Sequence, residues 1–181
     1  VAESAVNFYD GVTKAEVEKF YAEMVDPSDP TPISYGLNSK VVKGEDGVVR
    51  EEVYKVGGLY GPALEKIIAE LEKAAEVAEN ITQKEYIAFL VDYYRTGDLK
   101  LWDAYNIKWV NDTLGTVDFV NGFVEDYNDP LGRKATWEGL VNFKDMEASR
   151  RTELISQNAQ WFEDSSPVDS RFKKKEVKGV S

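Results

Sequence analysis

The sequence predicts an α+β fold, mostly helical with a small antiparallel sheet. Three features carry that expectation. Two β-branched runs, about 34–43 and 48–56, flank the polar turn Gly44-Glu45-Asp46-Gly47, which is a hairpin signal. Three successive stretches between Gly61 and Asp112 repeat their apolar residues every three to four positions, the period of a helix. After Gly115 the period falls to two over about 116–126 and again over 134–143, so two further strands are expected across the turn Asp129-Pro130-Leu131-Gly132.

Each element has a local cause. Thr13 followed by Glu16 is a reciprocal capping arrangement, and Val17, Phe20, Tyr21 and Met24 extend it into a helix of about 13–25, closed by the proline-rich DPSDPTP. Gly61-Pro62 opens a helix running to about Asn80, with Leu64, Ile67, Ile68, Leu71 and Ala75 on one stripe. Thr82 and Glu85 form a second capping signal ahead of Tyr86, Phe89, Leu90 and Tyr93. Trp102, Tyr105 and Trp109 mark a third helix, where aromatics first read as core. A long helix is expected over about 144–162, with Met146, Arg150, Leu154, Ile155 and Trp161 inward. These boundaries divide the chain into a portion at 1–143 and a helix with a basic tail at 144–181.

Composition excludes whole classes of chemistry. With 22 basic and 33 acidic residues the net charge is −11, which disfavours nucleic acid and anionic membranes and favours a cationic ligand group. The tail from Arg171 holds five basic residues and one acid, leaving 17 basic and 32 acidic, or −15, on the rest. There is no cysteine and no histidine, so thiol catalysis, Ser-His-Asp sites and His-based zinc sites are impossible within this chain. No run of apolar residues is long enough to span a membrane, no secretory signal is visible, and a cytoplasmic setting is favoured.

The candidate site is the stretch GFVEDYNDP at 122–130. Alternation along the strand puts Phe119, Asn121, Phe123, Glu125 and Tyr127 on one side and Asp118, Val120, Val124 and Asp126 on the other. A short connection through Asp129-Pro130-Leu131-Gly132 brings Glu138 of the next strand close to Glu125 and Tyr127. Two carboxylates and a phenol suit an ammonium group, because charge-assisted hydrogen bonds are about twice as strong as neutral ones. Two other readings stand beside this one: solvated acids flanking a turn near Arg133 and Lys134, and a carboxylate pair for glycoside hydrolysis.

Several segments resemble the dipeptidyl peptidase III family of zinc exopeptidases. They are GFVEDYNDPLGRKATWEG at 122–139, the following VNFKDMEASRRTELISQNAQWFEDSSPV, and IKWVND at 107–112. The resemblance implies that Glu125 grips the free α-ammonium of a peptide substrate, with Glu138 near the same subsite. It implies that Tyr127 gives a transition-state hydrogen bond near the scissile carbonyl, and that Trp109 lines the cleft. Thr136 departs from members that carry a further Glu there. The family's zinc is held by a His-Glu-x-x-x-His helix and a later Glu, none of them in this chain, so no cofactor is expected here and zinc is expected in a longer parent.

The chain therefore reads as an internal fragment of the parent's substrate-binding lobe, inactive alone, whose partners are the peptide N-terminus and the missing catalytic lobe. Surface left bare by that lobe leaves self-association open. The rival is an acidic α+β interaction domain without peptidase activity.

Overall fold

The computed structural model describes residues 6–177. The chain folds as two compact units, one up to Val141 and one from Asn142. In the first unit, strand β1 (Tyr9–Asp10) precedes helix α1 (Lys14–Ala22), followed by β2 (Ser39–Lys43) and β3 (Val49–Val53). Helices α2 (Gly61–Glu76), α3 (Ile81–Thr96) and α4 (Leu99–Val110) come next, then strand β4 (Val117–Glu125) and strand β5 (Thr136–Phe143), whose last two residues fall in the second unit.

β2 and β3 form the expected antiparallel hairpin, with Ser39 opposite Val53 and Lys43 opposite Val49. It is shorter than predicted at both ends. Residues 34–38 leave the strand because Gly36 adopts φ +94° and the amide of Leu37 turns back to the carbonyl of Ser34. The hairpin also gains a third strand that the pattern did not show, since β1 pairs in parallel with β2, Tyr9 beside Val41. Thr13 caps α1 in the predicted reciprocal way with Glu16, and the helix buries Val17 and Tyr21 against Val12 and Val41.

The larger core is made by α2, α3 and α4. α3 buries Tyr86, Ile87, Leu90, Val91, Tyr93 and Tyr94, and each such side chain fully removed from water contributes about 1.5–3 kcal/mol. Trp102 of α4 sits between Tyr93 and Tyr105, with ring centroids 5.1 and 5.2 Å away. The expected Thr82 capping box is not the one used. Asn80 caps α3 instead, accepting from the amide of Gln83 at 2.8 Å while its own amide group donates to Asp112. Asp112 prepositions Asn80, so the helix begins at Ile81 and Thr82 lies inside it.

β4 and β5 form a separate two-stranded sheet. The Thr136 hydroxyl donates to the carbonyl of Glu125 at 3.2 Å, so the end of β4 meets the start of β5 and the strands run antiparallel. β4 packs through Phe119 against Tyr86 of α3 and through Phe123 against Tyr54, which follows β3. Gly122 is required there: a Cβ would lie 2.4 Å from the Trp102 ring.

In the second unit the single long helix expected over 144–162 is two helices, α5 (Met146–Gln157) and α6 (Ala159–Ser165), with one 3-10 turn at Ser170–Phe172. Asn158 causes the break. Its amide bonds to the carbonyl of Ile155 and its side chain caps the carbonyl of Leu154 at 2.8 Å, closing the ladder one residue early. Met146, Leu154, Ile155 and Trp161, expected to face inward, are exposed, and no described residue of this unit is buried. No helix among the described residues is long and apolar enough to cross a membrane.

Replacing Gly122 by Ala drives a methyl into the Trp102 ring, so Gly122→Ala should lower the urea midpoint by an amount worth about 1–3 kcal/mol. An unchanged midpoint would show that Trp102 has room to move.

Candidate functional site

The site is built on the β4–β5 hairpin, whose rigidity comes from below. Phe123 is buried, and Trp137 Nε1 donates to the Tyr94 hydroxyl at 3.0 Å, which in turn donates to Asn121. Both strands are thereby tied to α3. The alternation expected for β4 holds only in part: Phe119, Asn121, Phe123 and Glu125 are covered and Asp118, Val124 and Asp126 are exposed, but Val120 on the second face is half-buried and Gly122 is buried against Trp102. It does not extend to Tyr127, because the strand ends at Glu125 and the amide of Asp129 closes a turn onto the carbonyl of Asp126.

Glu125 and Glu138 come together. Their carboxyls hydrogen-bond to one another, which raises the pKa of Glu125. Desolvation and the charges of Glu138 and Asp126 raise it further. A second acid this close disfavours the charged form of Glu125. No ion pair reaches either of them among the described residues, since Arg133 and Lys134, the basic neighbours in sequence, are engaged elsewhere. Arg133 lies over the Tyr21 ring at 4.9 Å, and Lys134 is fully buried. Glu125 and Glu138 thus flank the turn without an ion pair to either of these residues.

Tyr127 is 76% exposed on the turn that follows Glu125. Trp109 is not brought to the acids: its indole N–H donates to Asp118 at the far end of β4, at 2.7 Å. At about 3.3 Å per residue, seven residues of strand put that contact roughly 23 Å from Glu125. Thr136, where some members of the resembling family carry an acid, uses its hydroxyl on the Glu125 carbonyl.

A cavity of about 400 Å³ lies beside the hairpin, lined mainly by Phe8, Tyr54, Tyr60, Leu64, Phe123 and Trp137, with Thr136 also on its wall. Sequence reasoning missed it, because GGLYGP reads only as a linker into a helix. The structure holds Tyr60 there at φ +63°, the sole non-glycine residue with positive φ among those described. Such strain persists only where packing enforces it, here with the Tyr60 ring 5.0 Å from Tyr54.

The residues present do not fit zinc. The sequence has no histidine or cysteine, and no cluster of three acids that could hold a metal occurs among the described residues.

Known proteins share both the sequence pattern and the fold. The model of peptidase family M49 matches residues 34–179. Dipeptidyl peptidase 3 of Rattus norvegicus is 29% identical over 117 residues, covering 65% of this chain and 16% of its own length. The protein of the same name from Dictyostelium discoideum is 29% identical over 129 residues, 71% of this chain and 18% of its own length. The solved structure of DPP III from Caldithrix abyssi superposes with a TM-score of 0.68 at 22% identity over 94% of this chain and 31% of that one. Dipeptidyl-peptidase III from Corallococcus sp. strain EGB gives 0.61 at 23% identity, over 94% of this chain and 30% of that one. The two structures establish the shared fold, and the chain spans less than a third of the length of each of these four proteins.

The Glu125 titration has a definite sign. Its folded pKa lies above the ordinary 4.5, so between those values the folded protein holds more protons than the unfolded chain and stability falls as pH rises. The stability difference between wild type and Glu125→Gln should therefore decline with rising pH through that window, followed by urea midpoints. In Glu138→Gln the Glu125 inflection, read by carbon NMR, should move back towards 4.5. An unmoved inflection would mean that the two carboxyls do not interact.

Proposed function

Because the chain belongs to peptidase family M49, we propose that it forms substrate-binding structure of a zinc-dependent dipeptidyl peptidase that releases dipeptides from peptide N-termini. In this reading the chain is inactive on its own. The observation that carries the proposal is the Glu125–Glu138 pair, two carboxyls held together without a cation. In this reading an incoming α-ammonium sits between the two carboxyl groups. It gains two charged hydrogen bonds where an unpaired ammonium in a cleft would cost several kcal/mol.

The spacing of the site suits a dipeptide. Tyr127 follows Glu125 by two residues, a backbone separation of at most about 7 Å, which is also the reach of two substrate residues. In this reading a peptide whose ammonium is held by Glu125 and Glu138 presents its second carbonyl to the Tyr127 phenol, which donates to the oxygen as charge develops on it. The adjacent apolar cavity is of a size to accept a substrate side chain. Zinc, bound by the parent's other residues, would supply the Lewis acid and the activated water. The work of this chain is to bind, count and orient. Trp109, lying at the other end of β4, belongs to a more distant part of the same cleft.

In the longer protein, Glu125→Gln should raise KM for dipeptidyl-arylamides by about 10- to 100-fold, the loss of one charged hydrogen bond, and Tyr127→Phe should mainly lower kcat. Kinetics unchanged in both variants would refute the assignment. The 181-residue chain alone should hold no stoichiometric zinc by elemental analysis and turn over no substrate.

A further inference from the structure

We propose that Asp129 is a positioning residue, the carboxylate that fixes the turn between β4 and β5 and with it the place of Tyr127, two residues beyond Glu125. This rests on the peptidase reading of Glu125, Glu138 and Tyr127. Asp129 is an acid only 6% exposed, and it is fully engaged. Its carboxylate accepts from the Tyr9 phenol at 2.8 Å, from the amides of Arg133 and Lys134 at 2.8 Å each, and from the amide of Leu131 at 3.1 Å. Oδ2 takes three of these donors and Oδ1 the amide of Leu131, all of them from the chain itself, so the buried carboxylate works on the turn.

Its backbone closes the turn on both sides. The amide of Asp129 donates to the carbonyl of Asp126 at 2.9 Å, which makes Tyr127 and Asn128 the two central residues of a turn. Its carbonyl accepts from the amide of Gly132 at 3.0 Å, where φ is +61°. Side chain and backbone of this residue therefore constrain the loop from Asp126 to Lys134.

The loop is pinned again where it leaves. Lys134 is fully buried, with its ammonium on the Tyr21 hydroxyl, the Gly36 carbonyl at 2.9 Å and Ser39 Oγ at 2.8 Å, and Glu51 at 3.7 Å. The amide of Ala135 donates to the carbonyl of Leu37 at 3.0 Å. Tyr127 projects into solvent from this clamped arc, so its place is set by the turn and not by packing of its ring. A donor that must meet a developing oxyanion within about 0.5 Å needs such support.

The test is a double-mutant cycle in the longer protein on a dipeptidyl-arylamide, with hydrogen exchange of residues 126–135 read by mass spectrometry. Asp129→Ala should lower kcat about 10- to 100-fold with a smaller change in KM, and should cost little more when added to Tyr127→Phe. Exchange over 126–135 should rise in Asp129→Ala and not in Tyr127→Phe. A merely structural role predicts a kcat loss that multiplies with that of Tyr127→Phe, and that result overturns the proposal. Should Asp129→Ala not fold, Tyr9→Phe, which removes one of four donors, should show a smaller kcat loss that also vanishes in the Tyr127→Phe background; an additive loss there overturns the proposal as well. A wild type without arylamide hydrolysis defeats the peptidase reading instead, and the exchange data then decide alone whether Asp129 holds the turn.

Discussion

A single buried ammonium organises the part of the molecule on which the site depends. Lys134 is fully buried, and its partners come from α1 through Tyr21, from the chain ahead of β2 through Gly36, from β2 through Ser39 and from β3 through Glu51. Burial pulls its pKa down to about 8, and the charges of Glu51 and Asp129 act against that fall, so it stays largely charged at neutrality. Desolvating such a charge costs most of what its attraction to Glu51 returns. What the arrangement supplies is selectivity among conformations, because any packing that separates these four segments leaves a charge in the interior. Gly36 shows how tightly it closes, since a Cβ there would stand 2.6 Å from the Tyr21 hydroxyl and 3.0 Å from Lys134 Nζ.

The site stands on the other end of the same construction. Lys134 and Ala135 are fixed to the small sheet and its flanking loop, and β5 begins one residue later, so Glu138 inherits its position from a buried charge. Glu125 is set by Phe123 beneath it and by the Thr136 hydroxyl at its carbonyl. In the proposed role the two acids are brought near one another by the strands that carry them, and the raised pKa of Glu125 reflects that closeness.

Local signals were legible where the cause lay within a few residues. Thr13 and Glu16 satisfy each other's backbone across three positions, so the start of α1 could be read directly. The start of α3 could not, because the cap that wins, Asn80, is oriented by Asp112, which is 32 positions away. The parallel strand β1 was invisible for the same reason: two residues make no pattern, and only β2 converts them into a strand. Asn158 did carry a local sign of the break between α5 and α6, but the longer apolar period outweighed it. Of the site, the nearness of Glu125 and Glu138 followed from alternation and turn length. The apolar cavity did not, for Phe8, Tyr54, Leu64 and Phe123 come from four separate parts of the chain.

The sequence alone determined the α+β class, the hairpins, the lack of any His or Cys metal ligand and the family resemblance, since each depends on composition or on periodicity within one element. Only the tertiary structure decided which charges are spent and which are free. Arg133, Lys134 and Asp129 read in the chain as a polar turn beside Glu125, equally able to neutralise it or leave it alone. In the fold Lys134 is consumed by Glu51 and Tyr21, Arg133 by an aromatic ring and Asp129 by four donors, which leaves Glu125 and Glu138 facing each other. Charges pair across space and not along the chain, so their assignment had to wait for the packing.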